Sequence, residues 1–290
     1  WAANRIRGAL GKSLRKLACI AQKPRCQGCP YRRLCAYGYC FEPEMESDGK
    51  FHARGQEAPR PYVLRGDPPS EAASVIYFEL VLIGRAVELL PYFALAVKEW
   101  EQPGMGPGFR GTQLLSATVR HPFDGRTQLI YEDTSGWGTV PQWEVTPGQV
   151  IAAVEGFRSD RLTVEFVTPT RLRFRGKEVV SRPPFRALIS SLLRRLEGLE
   201  HSHGLPTVVE DARALITLAD QVGLETWEGT REHRERYSYR QHQRMEWQGI
   251  VGRATYRGDL APFLPALRLG ELVHVGKGAV FGLGRIKLGR

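Results

Sequence analysis

The chain has 290 residues, 42% of them hydrophobic, enough for one large or two ordinary domains that each bury a core. Its 41 basic against 31 acidic residues leave a formal charge of +10, which favours polyanionic partners such as nucleic acid or an acidic membrane surface. The longest apolar run, around residues 75–90, is interrupted by Glu79, Gly84, Arg85 and Glu88 and falls short of the roughly 18 residues of a bilayer span, which argues against an integral membrane protein.

The chain opens at Trp1 in mid-pattern, with neither an initiator methionine nor a signal peptide, and further native sequence is expected upstream. Over residues 3–18, Ile6, Leu10, Leu14 and Leu17 share one helical face, with Arg5, Arg7, Lys12, Arg15 and Lys16 elsewhere around the cylinder. All five cysteines then fall between Cys19 and Cys40, a clustering unsuited to disulfides that staple a chain this long. A reducing cytoplasm is the expected home. Strands are predicted over residues 61–64 and 74–83, a helix over 84–100 with Val87, Leu90, Phe93 and Val97 inward, and strands over 114–120 and 128–131. Residues 133–148 are rich in Gly, Pro, Thr and Trp and mark a boundary between domains 1–140, with the cysteine-rich insertion 19–40, and 141–290.

The second half begins with a strand at 162–167 and a helix whose Phe185, Leu188, Ile189, Leu192, Leu193, Leu196 and Leu199 form one stripe. A helical stretch over 210–222 precedes strand-like segments at 234–247 and 249–256, a short helix at 259–269, and strand segments at 272–275 and 280–288. Strand, helix, strand, strand, helix, strand is the ferredoxin-like split unit, and the first half repeats that order if its first strand is missing. The fold class read from the sequence is therefore α+β: two tandem ferredoxin-like (RRM-like) domains with antiparallel sheets.

Three constellations carry chemistry. Cys19-x6-Cys26-x2-Cys29-x5-Cys35 supplies four thiolates, two of them from a tight turn, which suits structural zinc, with an iron–sulfur cluster as the alternative and reduced thiols packed in a loop as the plain reading; Cys40 is the spare. Residues 231–244 concentrate Arg231, Arg234, Arg236, Arg240 and Arg244; as one strand, the two-residue period puts Arg234, Arg236, Ser238, Arg240, His242 and Arg244 on a single side. Guanidinium forks suit phosphates, and Tyr237 and Tyr239 could stack on bases; the competing reading is a solvated edge that blocks aggregation. Near the carboxy-terminus, Gly276, Gly278, Gly282 and Gly284 let backbone amides approach a polyanion, with Lys277 and Arg285 adding charge, unless these glycines only permit a bulged edge strand. Their spacing fits neither the dinucleotide fingerprint nor the Walker loop.

The run from Gly258 to Gly284, with the segments Asn4-Arg-Ile-Arg-Gly-Ala-Leu-Gly11, Leu90-Pro-Tyr-Phe, Thr168-Pro-Thr-Arg-Leu and Arg236-Tyr-Ser-Tyr-Arg240-Gln, resembles in colinear order the CRISPR-associated repeat-processing endoribonucleases, the Cas six family of the RAMP superfamily. The resemblance implies tandem ferredoxin-like domains, a glycine-rich loop near the end of the second, binding of CRISPR repeat RNA in precursor crRNA, and metal-independent cleavage within each repeat. Such cleavage is attack by a 2′-OH on the adjacent phosphate, giving a 2′,3′-cyclic phosphate and a 5′-OH, with a general base, a general acid and cationic stabilisation. No cofactor is then needed for catalysis. In many relatives the functional histidine lies on or soon after the first helix; here that helix has none, and the nearest is His52, with His233 and His242 as alternatives. His274 is expected to support the loop, His121 to mark a turn, and His201 and His203 to lie on an exposed loop. The alternative function is a non-catalytic crRNA-binding subunit of a CRISPR effector or adaptation complex, associated with other CRISPR proteins or with fused reverse-transcriptase and integrase domains. A zinc-stabilised module for another nucleic acid is the third reading.

Overall fold

Buried Ile6, Leu10 and Leu14 repeat at helical spacing along the first element, so one stripe of it faces inward and its cations face out. This is α1 (Ala2–Ala18), and the computed structural model describes residues 2–44, 58–66, 75–102, 104, 111–238 and 243–289. There follow α2 (Ala36–Phe41), β1 (Tyr62–Gly66), β2 (Phe78–Leu82), α3 (Leu90–Lys98), β3 (Ser116–Arg120), β4 (Thr127–Glu132) and β5 (Gly136–Trp137). β1 and β2 pair antiparallel, and β3, β4 and β5 form a separate three-stranded sheet. The first core packs α1, α3 and β1 through Leu10, Leu14, Tyr62, Leu64, Phe93 and Trp100.

A Thr146–Gln149 capping box starts α4 (Pro147–Ala152), ahead of β6 (Arg161–Thr170) and the small β7 (Arg173–Phe174) and β8 (Lys177–Glu178) hairpin. Leu162, Val164 and Phe166 alternate into the core from β6, as a strand covered on one face requires. The predicted leucine stripe becomes α5 (Phe185–His203), which ends at Gly204 in the left-handed conformation. The rest is α6 (Ala212–Leu218), β9 (Gly223–Ser238), β10 (Gln243–Arg257), α7 (Leu264–Val273) and β11 (Ile286–Gly289). The sheet order β11-β6-β10-β9, antiparallel throughout, with α5 and α7 over one face, is that of a ferredoxin-like unit.

The helix expected over 84–100 is a 3-10 turn at Gly84–Val87 followed by α3, and Val87, expected inward, is exposed. Three strand expectations change as well. Residues 234–247 are not one strand: the chain runs along β9 to Ser238 and returns along β10 from Gln243, with Arg236 opposite Met245 and Arg244 opposite Tyr237. Residues 272–275 close α7 rather than forming a strand, and in 280–288 only Ile286 onward is strand, because the left-handed Gly278, Gly282 and Gly284 turn the chain repeatedly. β6 pairs β10 only from Ile250 onward, so the hairpin from Gly249 outward is a two-stranded arm extending past the sheet. Among the described residues, no helix is long and apolar enough to cross a membrane.

Candidate nucleic-acid interface

The connection from α7 to β11 is built on positive φ. Gly276, Gly278, Gly282 and Gly284 take φ of 76°, 89°, 76° and 73°, and His274, a non-glycine, takes 63°. A Cβ at Gly276 would lie 2.7 Å from the Arg171 carbonyl oxygen and one at Gly284 would overlap the Val275 carbonyl. The glycines are therefore required by close backbone packing, over and above any approach to a ligand. His274 is fully buried; its Nδ1–H donates to the Leu283 carbonyl at 2.9 Å and its Nε2 accepts from Arg65 Nε at 3.2 Å. Burial, reinforced by the Arg65 charge, pushes its pKa well down, so the ring is neutral.

The segments that carried the family resemblance meet at this loop. Arg7 of α1 stacks its guanidinium 4.5 Å over the Phe281 ring. Thr168 Oγ1 at the end of β6 donates to the Gly282 carbonyl at 2.8 Å and accepts from the Arg285 amide at 2.9 Å. Trp247, at the root of the arm and opposite Arg234, packs its ring 5.4 Å from Phe281 and lies against Gly278. Val280 is buried in the core of the first half, so the loop is a joint between the two cores. Leu90-Pro-Tyr-Phe contributes elsewhere, placing Phe93 in that first core.

Cations ring the joint. Lys277 is exposed at the tip of the loop and Arg285 is half-exposed at its end. Arg65 of β1 reaches across from the first half to the Glu271 and Leu272 carbonyls and pairs with Glu79 at 3.3 Å; its desolvation lowers its pKa, opposed by Glu79. Glu178 bridges Arg171 at 2.9 Å and Arg231 at 3.2 Å, which fixes two guanidiniums beside the loop. The backbones of Arg234, Arg236 and Arg244 lie along the arm, while Arg240 and His242 fall outside the described residues. The structure thus brings the loop, the arm's root and α1 into contact, and adds Arg65, Arg171, Trp247 and Phe281, which the sequence reading did not single out. The segment Thr168-Pro-Thr-Arg-Leu is the sequence signal for Arg171.

Residues 164–286 match the family model of the CRISPR-associated endoribonuclease Cas6, a span that takes in most of β6, α5, the arm, α7 and the whole glycine loop and ends at the first residue of β11. A further model, described only as an N-terminal domain, matches residues 1–143. Residues 164–286 thus form a Cas6-type domain. Among solved structures, a product complex of the Thermus thermophilus Cas6 TTHB231 is similar at 16% identity, with 99% of this chain and 94% of that chain covered and a TM-score of 0.55. A product complex of the Cas6 TTHA0078 matches at 19% identity, covering 87% of this chain and 91% of that one, with a TM-score of 0.50. These likenesses are of fold, and with the sheet order they give tandem ferredoxin-like domains. A Cas6-RT-Cas1–Cas2 complex matches at 11% identity, 79% of this chain and 24% of that chain, with a TM-score of 0.45. A search of curated proteins returns no significant match.

The histidines divide by environment. His52 and His242 lie outside the described residues; His233 is exposed on β9 opposite Gln248, where the arm leaves the sheet. His121 is buried in a turn, its Nε2–H donating to the Glu144 carbonyl at 3.1 Å and its Nδ1 lying 3.0 Å from Asp124. His203, expected on an exposed loop, instead ends α5 and is half-buried, because it spans the two halves: Nε2–H donates to the Pro59 carbonyl at 2.7 Å and Nδ1 accepts from Tyr39 Oη at 3.1 Å. Its burial lowers its pKa. His201 sits in the same last helical turn, partly buried.

Cys19, Cys26, Cys29 and Cys35 all line one cavity of about 380 Å³ at the carboxy-terminal end of α1. Cys40 is apart, buried in the first core, where desolvation pushes its thiol up to about 12.

Proposed function

We propose that this chain binds CRISPR repeat RNA across the glycine loop and the basic arm, and cleaves precursor crRNA within the repeat without a metal ion. The observation that carries the reading is the convergence of the family-matched loop, Lys277, Arg285 and the root of the arginine-bearing arm on one joint. The exposed edge of the loop offers backbone amides and cations to phosphates, and the arm adds a row of arginines along a single extended ribbon. Cleavage proceeds by 2′-OH attack on the adjacent phosphate. A histidine serves as general base, a second group protonates the departing 5′-oxygen, and guanidiniums stabilise the phosphorane. His52 is the first candidate for the base, with His233 and His242 after it. His274 is excluded from proton transfer by geometry, since both its ring nitrogens are already engaged inside the joint.

Incubating the chain with its cognate repeat RNA in EDTA tests the proposal. A 2′,3′-cyclic phosphate and a 5′-OH, with cleavage abolished by His52→Ala, are expected. Cleavage that survives His52→Ala but is lost in His233→Ala or His242→Ala reassigns the base. Tight binding with no cut selects the crRNA-binding subunit, and a cut that requires a divalent ion overturns metal independence.

A further inference from the structure

From Cys19 to Cys35 the chain makes an excursion in which no residue is buried. Ile20 is 83% exposed and Leu34 69%, so no apolar core holds the excursion in place. Yet it closes: Cys35 Sγ lies 3.4 Å from the Ala18 carbonyl at the end of α1, and the four cysteines face one cavity. Arg15 donates to the Lys23 carbonyl and Arg85 to the Arg33 and Leu34 carbonyls, which pin the excursion from outside, and bound metal is the usual further source of closure energy in small polar units.

The thiols have the positions of ligands. The Cys19 amide donates to the Arg15 carbonyl, so this thiol is fixed by the last turn of α1. Cys26 and Cys29 sit on one turn closed by the Cys29 amide to Cys26 carbonyl bond at 3.1 Å, with Gly28 at φ 69°. Cys35 caps α2. Arg32 and Arg85 line the same cavity and would offset the charge of a net negative centre.

Size and spacing decide which centre. Around one zinc the sulfurs lie about 2.3 Å from the ion and so within about 4 Å of one another. Among the described residues, no three His, Cys, Asp or Glu groups converge closely enough to hold one ion, although the four thiols share one cavity. A single ion is also served best by two chelating pairs, whereas here Cys26 and Cys29 form the lone pair and Cys19 and Cys35 come from separate elements. A cube of four irons and four sulfides takes one thiolate per corner and needs no second pair.

We propose that Cys19, Cys26, Cys29 and Cys35 hold a four-iron, four-sulfide cluster that closes the excursion onto α1. The cluster arrives assembled; each thiol releases one proton as its sulfur replaces an exchangeable ligand on one iron, and no electron is transferred. The full chain, purified anaerobically from iron-sufficient cells, is expected to contain about four irons and about four acid-labile sulfides, to carry the broad visible absorbance of sulfide-to-iron charge transfer, and to lack zinc. Cys40→Ser is expected to keep the cluster, and Cys19→Ser, Cys29→Ser and Cys35→Ser to lose it. One zinc per chain without sulfide overturns the proposal in favour of a mononuclear site. Iron and sulfide absent together with zinc overturn metal binding altogether. Should a cysteine variant fail to fold, the metal and sulfide content of the unsubstituted chain still decides.

Discussion

Gly284 shows how little room a single position in the loop leaves. Its φ of 73° and the Val275 carbonyl, which sits where a Cβ would have to go, both exclude a side chain. Gly284→Ala is expected to destabilise the fold by about 1–3 kcal/mol, read as a lower urea midpoint at unchanged m-value. His274 makes a second prediction. Its folded pKa is depressed, so the unfolded chain binds a proton that the native chain refuses once the pH drops below about 6.5. Stability is therefore full above that value and falls as the solution is acidified, by up to about 1.4 kcal/mol per pH unit. Urea midpoints measured from pH 8 to pH 5 are expected to fall less steeply in His274→Asn, a residue that tolerates positive φ, than in the unsubstituted chain; equal slopes would assign the acid sensitivity elsewhere. His203, also depressed by burial, contributes in the same direction in both proteins and cancels in the comparison.

The arm is the element on which RNA affinity is expected to depend. Arg234→Ala, Arg236→Ala and Arg244→Ala are each expected to weaken repeat-RNA binding and to reduce the slope of log affinity against log salt by about 0.7–1; an unchanged slope would remove that arginine from the phosphate contacts. Much of this half is legible in the sequence. The α5 stripe, β6 and the helix after Gly258 stand out because each buries one face at a clean period. The arm is not legible as a hairpin, because Arg234, Arg236, Arg240, His242 and Arg244 keep one two-residue period across the reversal and the connection Tyr239-Arg-Gln-His242 contains no Gly, Pro, Asn or Asp to mark it. The glycine loop misled for the opposite reason. Val280, Leu283 and Ile286 imitate a strand in sequence, but glycines at positive φ between them turn the chain into a joint.

Across the whole molecule, the two cores are keyed together by a segment far from the first half in sequence. Val280 is buried among α1, β1 and α3, and His203 ties α5 to Tyr39 and Pro59. Val280→Ala, a cavity costing roughly 1–3 kcal/mol, is expected to raise hydrogen exchange in α1 and β1 as well as in the loop. Faster exchange confined to residues 276–285 would show that the cores open independently. No periodicity in the first 140 residues foretells this, because long-range keying leaves no local pattern. Colinear segments such as Asn4–Gly11 and Thr168–Leu172 were conspicuous, but only the fold shows that they touch one loop.

α1 joins two places that differ in every chemical respect. Near its start, Arg7 rests on Phe281 of the glycine loop; at its end, Ala18 receives the Cys35 thiol. The span between them is about 16 Å of uninterrupted helix, a stiff rod rather than a hinge. Any coupling carried along it is reciprocal. By whatever factor filling the cysteine cavity alters the grip on RNA, bound RNA must alter retention at the cavity by the same factor.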